Sequence, residues 1–315
     1  MKVVIIFGTL LLLNISLAQG RNVQAGATYP DGPQGPDFAK NPGAMLVDLL
    51  EGGIEAHWNI EEHPKGFVND ELEEYIRDAV TQDSSTNVIT ITAQKVSGDR
   101  ITSGRINSNG KWNSGNSEST KRRGYLEVRA KFPAKSNGDS FQGAWPAVWM
   151  LGTGNGGHWP GEGEIDIMES VNGDPEVVMS LHSTHHNGGN AQHPPADPLF
   201  ANADFSRDGA ILGLEWNVQD NIGQLDITWW ISYFDLGTNS WTSMHSTKSL
   251  FSSAGAGNDY DDFYNSFVNA PGFYAIINLA EGGQFPQCFD YSCTFVDGQP
   301  QYVIVDSAKV YQYSG

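Results

Sequence analysis

The sequence predicts an all-β fold, a sandwich or a barrel, because short strand-like segments recur along the chain while helical periodicity is weak. Clusters of Gly, Asn, Asp and Ser separate these segments, as is typical of turns between strands. A short helix is expected only near residues 44–50. The nine predicted strands are residues 87–93, 124–132, 147–151, 164–169, 177–183, 212–217, 225–234, 273–279 and 302–311.

The 315-residue chain divides into three predicted regions. Residues 1–18 have the pattern of a secretory signal peptide, with Lys2 before an apolar core and Ser16-Leu17-Ala18 as a small-x-small cleavage site. Residues 19–43 are rich in Gly and Pro and predict an extended arm. Residues 44–315 suit one large β domain. We therefore expect a secreted, extracellular protein that has no membrane span and is a monomer.

The charge of the chain restricts its partners. The formal net charge is -19, and so acidic a chain repels the phosphate backbone of nucleic acids. Sulfated and uronic-acid polymers meet the same repulsion, whereas a neutral polysaccharide does not. We therefore expect no nucleic-acid partner and favour an uncharged substrate.

The segment Glu164-Ile165-Asp166-Ile167-Met168-Glu169 places three carboxylates close together on one predicted strand. Strict alternation would turn Glu169 into the core, where an unpaired carboxylate is costly. Either Glu169 lies off the strand, or a bulge near Ile167–Met168 returns it to the face of Glu164 and Asp166. Two carboxylates on one face of a strand suit the splitting of a glycosidic bond. The alternative is the solvated face of an ordinary sheet, where three acids without Lys or Arg would repel one another.

Further segments surround this acidic hexapeptide, residues 164–169. With it, they resemble glycoside hydrolase family 16, and most of all its laminarinase (endo-β-1,3-glucanase) branch. The resemblance extends over residues 65–313, and its other segments are residues 123–131, 142–152, 158–163, 214–216, 275–283 and 305–312. It implies a β-jelly roll of two antiparallel sheets with a concave substrate cleft. It also implies a retaining endo-glucanase acting on β-1,3 or mixed-linkage glucan, with no cofactor required.

The same resemblance assigns roles to the three acids. Glu164 matches the nucleophile, Glu169 the general acid/base and Asp166 an assisting carboxylate. Like charges in one cleft raise at least one pKa, as a general acid working near neutral pH requires.

Tryptophans near the acids are candidate subsite residues, because aromatic rings offer flat apolar surfaces to sugars. Trp145 and Trp159 each precede Pro in a loop-like setting, which favours the cleft. Trp149 is also a candidate, with core packing as its alternative. Trp216 is expected in the core. Trp229 and Trp230 are adjacent on one strand and must face opposite ways, so at most one of them can reach a ligand.

Three polar residues, His186, Arg105 and Asn278, stand where the family places cleft residues, although Arg105 also suits a plain surface charge. The run His182-Ser183-Thr184-His185-His186 suggests a metal site, but its spacing is not that of a common zinc site. Glu281 replaces the usual Val of the family before Gly-Gly and is a candidate to alter a subsite. Asp306 is the candidate ligand of the structural calcium that the family often carries.

The two cysteines of the chain, Cys288 and Cys293, are predicted to form a disulfide in a secreted protein. Free thiols or a metal pair are the alternatives. So short a loop predicts a local clamp with little influence on catalysis.

Other functions on the same fold remain open. A non-catalytic β-glucan recognition protein would characteristically lose the carboxylates that this chain keeps. An agar- or carrageenan-degrading relative is disfavoured by the acidic charge. A transglycosylase acting on wall glucans would use the same two glutamates.

Overall fold

The computed structural model describes residues 26–35, 45–116, 118–135, 141–154, 158–183, 190–192, 200–252, 261–268, 270–295 and 298–312. The predicted signal peptide lies outside these ranges. The described chain forms a ten-stranded and a seven-stranded sheet, which confirms the all-β prediction. In chain order the strands are β1 (Met45–Asp48), β2 (Asn59–Ile60), β3 (Glu73–Tyr75), β4 (Val80–Gln82), β5 (Ile89–Ser97), β6 (Arg100–Ser103), β7 (Arg105–Asn107), β8 (Arg123–Lys131), β9 (Ala144–Gly152), β10 (Glu164–Glu169), β11 (Val178–Ser183), β12 (Asn190–Gln192), β13 (Ala210–Gln219), β14 (Gln224–Asp235), β15 (Ser240–Phe251), β16 (Phe273–Glu281) and β17 (Gln301–Gln312).

The ten-stranded sheet has the strand order β15-β14-β13-β8-β17-β5-β6-β3, with β1 paired to β17 and β4 to β5. Its pairs are antiparallel except for β3 and β6, which run parallel. The expected fold of two antiparallel sheets is confirmed, with this one short parallel pair as the exception.

The seven-stranded sheet has the order β12-β11-β10-β9-β16-β7-β2. It packs on the ten-stranded sheet through a shared apolar core to which both contribute alternate residues, such as Leu126 and Val128 from β8 and Val148 and Met150 from β9. Since successive side chains of a strand point to opposite faces, the residues between those on β9 lie on the outer face. The acidic hexapeptide therefore lies near the middle of the seven-stranded sheet, with part of its side chains outside.

The helix predicted near residues 44–50 is wrong. Residues Met45–Asp48 form β1, which pairs with Lys309, Val310 and Tyr311 of β17. Strand β5 pairs with β17 only over Gln301–Val305, so β1 fills a part of the β17 edge that β5 leaves unpaired. Backbone hydrogen bonds to β17 outweigh the weak local helical preference of this short segment.

Helices are few and short in the described residues: α1 (Ile54–His57), α2 (Glu118–Arg122) and α3 (Asp261–Val268). Within these ranges, no helix has the length and apolar character needed to cross a bilayer. The described part of the predicted arm, residues 26–35, contacts the ten-stranded sheet. The Gln34 backbone N–H donates to Glu127 Oε2 at 2.7 Å, and the Tyr29 hydroxyl donates to Asp306 Oδ2 at 3.1 Å.

Candidate active site

A bulge in β10 brings its three carboxylates to one face. Glu164, Asp166 and Glu169 lie opposite Leu151, Trp149 and Ala147 of β9, and the register shifts between Asp166 and Met168. The pairing with β11 shifts over the same stretch. Ile167 and Met168 are both buried in the core. The extra residue thus returns Glu169 to the cleft face, which confirms the predicted bulge.

Each carboxylate has a distinct set of hydrogen-bond donors. Trp159 Nε1 donates to Glu164 Oε2 at 3.1 Å, and Trp145 Nε1 donates to Glu169 Oε1 at 2.8 Å. The Ser180 hydroxyl donates to Asp166 Oδ2 at 2.5 Å. The two outer acids are therefore each held by one indole, while Asp166 is held from the neighbouring strand.

Burial and mutual repulsion act on both outer acids. Burial and the charges of Asp166 and Glu169 raise the pKa of Glu164 well above its usual range, against the lowering effect of Trp159 and Arg105. Burial and the charge of Asp166 raise the pKa of Glu169 to about 8, against the lowering effect of Trp145. Both pKa values are raised, so burial and repulsion favour a proton within this pair of acids. The assignment of that proton to Glu169 rests on the resemblance to the family.

A histidine that the sequence did not assign to the cleft lies beside the acids. His182 pairs with Glu164 across the β10–β11 ladder. Its Nε2 is 3.2 Å from Asp166 Oδ2 and 3.8 Å from Glu164 Oε1. His186, the predicted cleft histidine, lies outside the described residues. His182 alternates with Ser180 on a predicted strand, and this pattern was the available signal for it. The register that places both residues beside the acids is not visible in the sequence.

The carboxylates line a cavity of about 330 Å³ on the outer face of the seven-stranded sheet. Alternate residues of β9 form its floor, because they share one face of the strand: Trp145, Ala147, Trp149 and Leu151. Trp149 is therefore a cleft residue and not a core residue. Trp159 also lines the cavity, and 58% of its surface is exposed.

Arg105 and Asn278 both line the cavity and support Trp149 from two sides. The Arg105 guanidinium lies 4.9 Å from the Trp149 ring, and Arg105 Nε is 3.1 Å from Glu61 Oε2. Trp149 Nε1 donates to Asn278 Oδ1 at 2.8 Å. The alternative of a plain surface charge does not hold for Arg105, whose side chain is 11% exposed.

The sequence reasoning missed Glu71, a fourth carboxylate at the cavity wall. Glu71 Oε2 accepts a hydrogen bond from the Tyr75 hydroxyl at 3.1 Å, and burial raises the pKa of Glu71.

Glu281, in contrast, is absent from the described cavity lining. It is fully buried, and its Oε2 accepts a hydrogen bond from Thr294 Oγ1 at 2.5 Å, so the structure gives no support to its predicted effect on a subsite.

The remaining tryptophans lie below or behind the cleft. Trp216 and Trp229 are buried, and Trp229 Nε1 donates to the backbone oxygen of Asp166 at 2.8 Å. Trp229 thus supports β10 from the core side. Trp230 faces the other way, as predicted for adjacent residues of a strand.

In the described residues, Glu164, Asp166 and His182 form one group whose ligand atoms could hold a metal ion. These residues already contact one another and hydrogen-bond donors, so an ion is not required to place them. Asp306 lies elsewhere, with Tyr29 as its partner. Cys288 and Cys293 form a disulfide with an S–S distance of 2.01 Å, which confirms the predicted pair.

Comparisons with known proteins agree with this geometry. A family model described as "XgeA-like, catalytic GH16 domain" matches residues 135–203, which include the acidic hexapeptide. The chain is 25% identical over 282 residues to a "Beta-glucanase" of Rhodothermus marinus, covering 81% of this chain and 79% of the relative. It is 27% identical over 262 residues to a "Glucan endo-1,3-beta-glucosidase" of Cryptopygus antarcticus, covering 77% of this chain and 83% of the relative.

A solved structure gives the same picture. The "Glycoside hydrolase family 16 endo-glucanase from Bacteroides ovatus in complex with G4G3G-2F-DNP" superimposes with a TM-score of 0.58 at 26% identity, covering 84% of this chain and 100% of that chain.

Proposed function

The chain belongs to glycoside hydrolase family 16 and is a glycoside hydrolase, and from this premise we propose that it is a retaining endo-β-glucanase that cleaves β-1,3-linked glucan. The observation that carries the proposal is the bulge in β10, which places Glu164, Asp166 and Glu169 together in a cavity of about 330 Å³. The printed names of the relatives, a β-glucanase and a glucan endo-1,3-β-glucosidase, support glucan as the substrate class.

The chemistry follows from the protonation of the two outer acids. Glu169 is the proposed general acid: burial and the charge of Asp166 raise its pKa to about 8, so it holds a proton near neutral pH, and its Oε1 accepts a hydrogen bond from Trp145. It donates that proton to the leaving glycosidic oxygen while the Glu164 carboxylate attacks the anomeric carbon. The glycosidic bond breaks, and a glycosyl ester forms on Glu164.

The second step releases the sugar with its configuration retained. Glu169, now a carboxylate, takes a proton from a water molecule, and the resulting hydroxide displaces Glu164 from the anomeric carbon. Asp166 and His182 assist by keeping the Glu164 side of the cleft polar. Asp166 Oδ2 lies 3.2 Å from His182 Nε2. Transfer to another sugar in place of water would be transglycosylation, so product analysis must separate the two outcomes.

Trp145 and Trp159 support binding of successive glucose rings. Both line the cavity, and each is fixed by an N–H bond to a catalytic acid. Flat aromatic surfaces suit the C–H faces of sugars. We expect a glucan chain to pass over these rings with the scissile bond between Glu164 and Glu169.

Initial rates on laminarin, mixed-linkage β-glucan, agarose and carboxymethyl-cellulose test the proposal. Laminarin should be cut internally to short oligosaccharides, and mixed-linkage glucan should be cut where a β-1,3-linked glucose occupies the site. Carboxymethyl-cellulose should be left intact. Strong activity on agarose, or on mixed-linkage glucan alone, would contradict the β-1,3 assignment. Binding to laminarin without hydrolysis would favour a recognition protein.

We also propose that the enzyme is a secreted monomer. The signal-peptide pattern of residues 1–18 supports secretion. N-terminal sequencing of protein recovered from culture medium, with light scattering for its mass, tests both points. Asp306 stays the candidate for a structural calcium, which should raise the melting temperature if it binds there.

A further inference from the structure

The strand β14 carries two adjacent tryptophans with different tasks. Trp229 points into the core and donates to the backbone oxygen of Asp166 on the catalytic strand. Since successive side chains of a strand point to opposite faces, Trp230 points away from the catalytic sheet. Trp230 therefore lies on the outer face of the ten-stranded sheet, on the side of the molecule that faces away from the cleft.

Trp230 is part of a regular cross-strand pattern. It pairs with His245 of β15 in the ladder, and the two rings stack with centroids 5.6 Å apart and an interplanar angle of 17°. Pairs of hydroxyl side chains flank this stack on both sides: Thr228 with Thr247 at 2.8 Å, and Ser232 with Ser243 at 2.5 Å. Ser232 is buried and accepts a hydrogen bond from Trp230 Nε1 at 3.2 Å, so it supports the Trp230 ring and does not contact a ligand itself. These six residues are called the outer platform below.

A second aromatic group continues the pattern at one end. Phe234 and Trp241 form the next rung of the same face, with ring centroids 6.1 Å apart. Tyr29 of the N-terminal arm lies against Trp241 at 5.4 Å, and Trp241 Nε1 donates to the Thr28 backbone oxygen at 2.8 Å. Trp230 and Phe234 are four residues apart on one strand, which corresponds to about 13 Å. Two aromatic groups thus stand in line, separated by a pair of hydroxyls.

The lack of charged residues on these rungs favours a neutral ligand. The chain has 37 acidic and 18 basic residues, yet the four outer-facing rungs from Thr228 to Phe234 and their β15 partners contain no Asp, Glu, Lys or Arg. Aromatic rings next to hydroxyl and imidazole groups match the apolar faces and hydroxyl groups of neutral sugars. The next outer-facing residue of β14, Asp226, is acidic and would repel an anionic polymer.

We propose that the outer platform is a second, non-catalytic binding site for a neutral glucan chain. The inference rests on the proposed function, because the ligand is the polymer class that the cleft hydrolyses. The site would hold the enzyme on polysaccharide while the cleft on the opposite face works on another chain or on another part of the same chain. Its effect should therefore grow with the length and insolubility of the substrate.

The test uses the full chain and native electrophoresis in gels with and without laminarin. In a Glu164→Gln background, which prevents digestion, the double variant Trp230→Ala/His245→Ala should bind laminarin at least about fivefold more weakly. With Glu164 intact, the same double variant should hydrolyse a short β-1,3-oligosaccharide at an unchanged rate. Its rate on insoluble β-1,3-glucan should fall by a similar factor.

Two further variants keep the result interpretable. Tyr302→Ala removes an exposed aromatic side chain from β17 of the same sheet and should leave laminarin retention unchanged. His245→Ala alone changes an exposed residue of an edge strand and tests the site if the double variant does not fold. A lower melting temperature with unchanged retention would show that the pairs only stabilise the hairpin, and would overturn the proposal. A wild-type enzyme without activity on any glucan would instead contradict the proposed function.

Discussion

Trp145 donates its indole N–H to Oε1 of Glu169 at 2.8 Å, and this bond joins the proposed general acid to the floor of the cleft. The ring of Phe285 packs edge-on against Trp145, with centroids 5.4 Å apart. Phe285 belongs to the loop that the backbone bonds between Gly283 and Cys288 close. The acid is thus positioned through two aromatic rings by a loop outside the catalytic strand.

Glu164→Gln and Glu169→Gln should each abolish hydrolysis while the melting temperature stays near that of the wild type. Each substitution keeps the shape of the side chain but removes a nucleophile or a proton donor, and loss of general acid catalysis alone costs about 10²–10⁴-fold in rate. The measurement is kcat on laminarin with circular dichroism as the folding control. Asn278→Asp, which leaves the acids in place, should retain measurable turnover. Full activity in either Gln variant would contradict the mechanism.

Azide distinguishes the two roles. Glu169→Ala should regain turnover on an activated substrate when azide is present and release the β-azide, because azide then replaces the water activated by the base. Glu164→Ala should give the α-azide by direct displacement. If nuclear magnetic resonance of the products shows the reverse pattern, the roles of the two glutamates are exchanged.

Trp145→Phe and Trp159→Phe should move opposite limbs of the pH–activity profile. The Trp145 N–H lowers the pKa of Glu169 from a value otherwise raised by burial and Asp166. Removing it raises that pKa further, and since Glu169 must be protonated, the alkaline limb should shift to higher pH.

Trp159→Phe serves as the matched comparison. The Trp159 N–H lowers the pKa of Glu164, which must be ionised to attack, so its loss should shift the acidic limb to higher pH and narrow the profile. Both variants keep an aromatic ring for the sugar. The measurement is kcat/KM against pH, and equal shifts of the same limb in both variants would refute the assignment of one indole to each acid.

Much of the site could be predicted because local chemistry determines it. Glu169 cannot turn into the core without a partner, so the hexapeptide alone left two possibilities, a bulge or a position off the strand, and the structure has the bulge. Trp149 could have been placed too, since it alternates with Trp145 on one strand and must share its face. The roles of the acids, in contrast, came from the resemblance to the family.

The rest depends on which strands become neighbours. His182 reaches the acids through the β10–β11 register, and Glu71 reaches the cavity from a segment far away in sequence. The strand β15 was missed because its residues Ser240–Phe251 are mostly Ser, Thr and other polar types at the sheet edge, where one side of the ladder is open and little apolar alternation is required. The strand β1 was missed because its pairing with β17, and not the pattern of its own residues, determines its conformation.

Replacing both Cys288 and Cys293 by Ser should lower the free energy of unfolding by about 2 kcal/mol, as loop entropy predicts for so short a loop. Cys288 also closes the adjoining loop, which presents Phe285 to Trp145. We therefore expect kcat to fall by a factor of a few, in contrast to the prediction from sequence that the bridge has little influence on catalysis. Phe285→Ala is the matched variant, which removes the ring and keeps the bridge. Thermal unfolding and kcat are measured for both. A disulfide variant with reduced stability and wild-type kcat would show that Phe285 keeps its place without the bridge.

Glu281→Gln should flatten the dependence of stability on pH. Burial raises the pKa of Glu281 from 4.5 to about 8, while the unfolded chain loses this proton near the ordinary value. Between these pH values the folded state binds more protons than the unfolded state, so the free energy of unfolding falls as pH rises, by at most about 1.4 kcal/mol per pH unit. Gln keeps the acceptor for Thr294 and removes the titration. Chemical denaturation from about pH 5 to about pH 8 should therefore show that the free energy of unfolding of the variant increases relative to that of the wild type as pH rises. Glu62→Gln, at an exposed position, is the control and should show the same dependence of the free energy of unfolding on pH as the wild type. If Glu281→Gln also shows that dependence, the Glu281 carboxyl is already ionised in the folded enzyme.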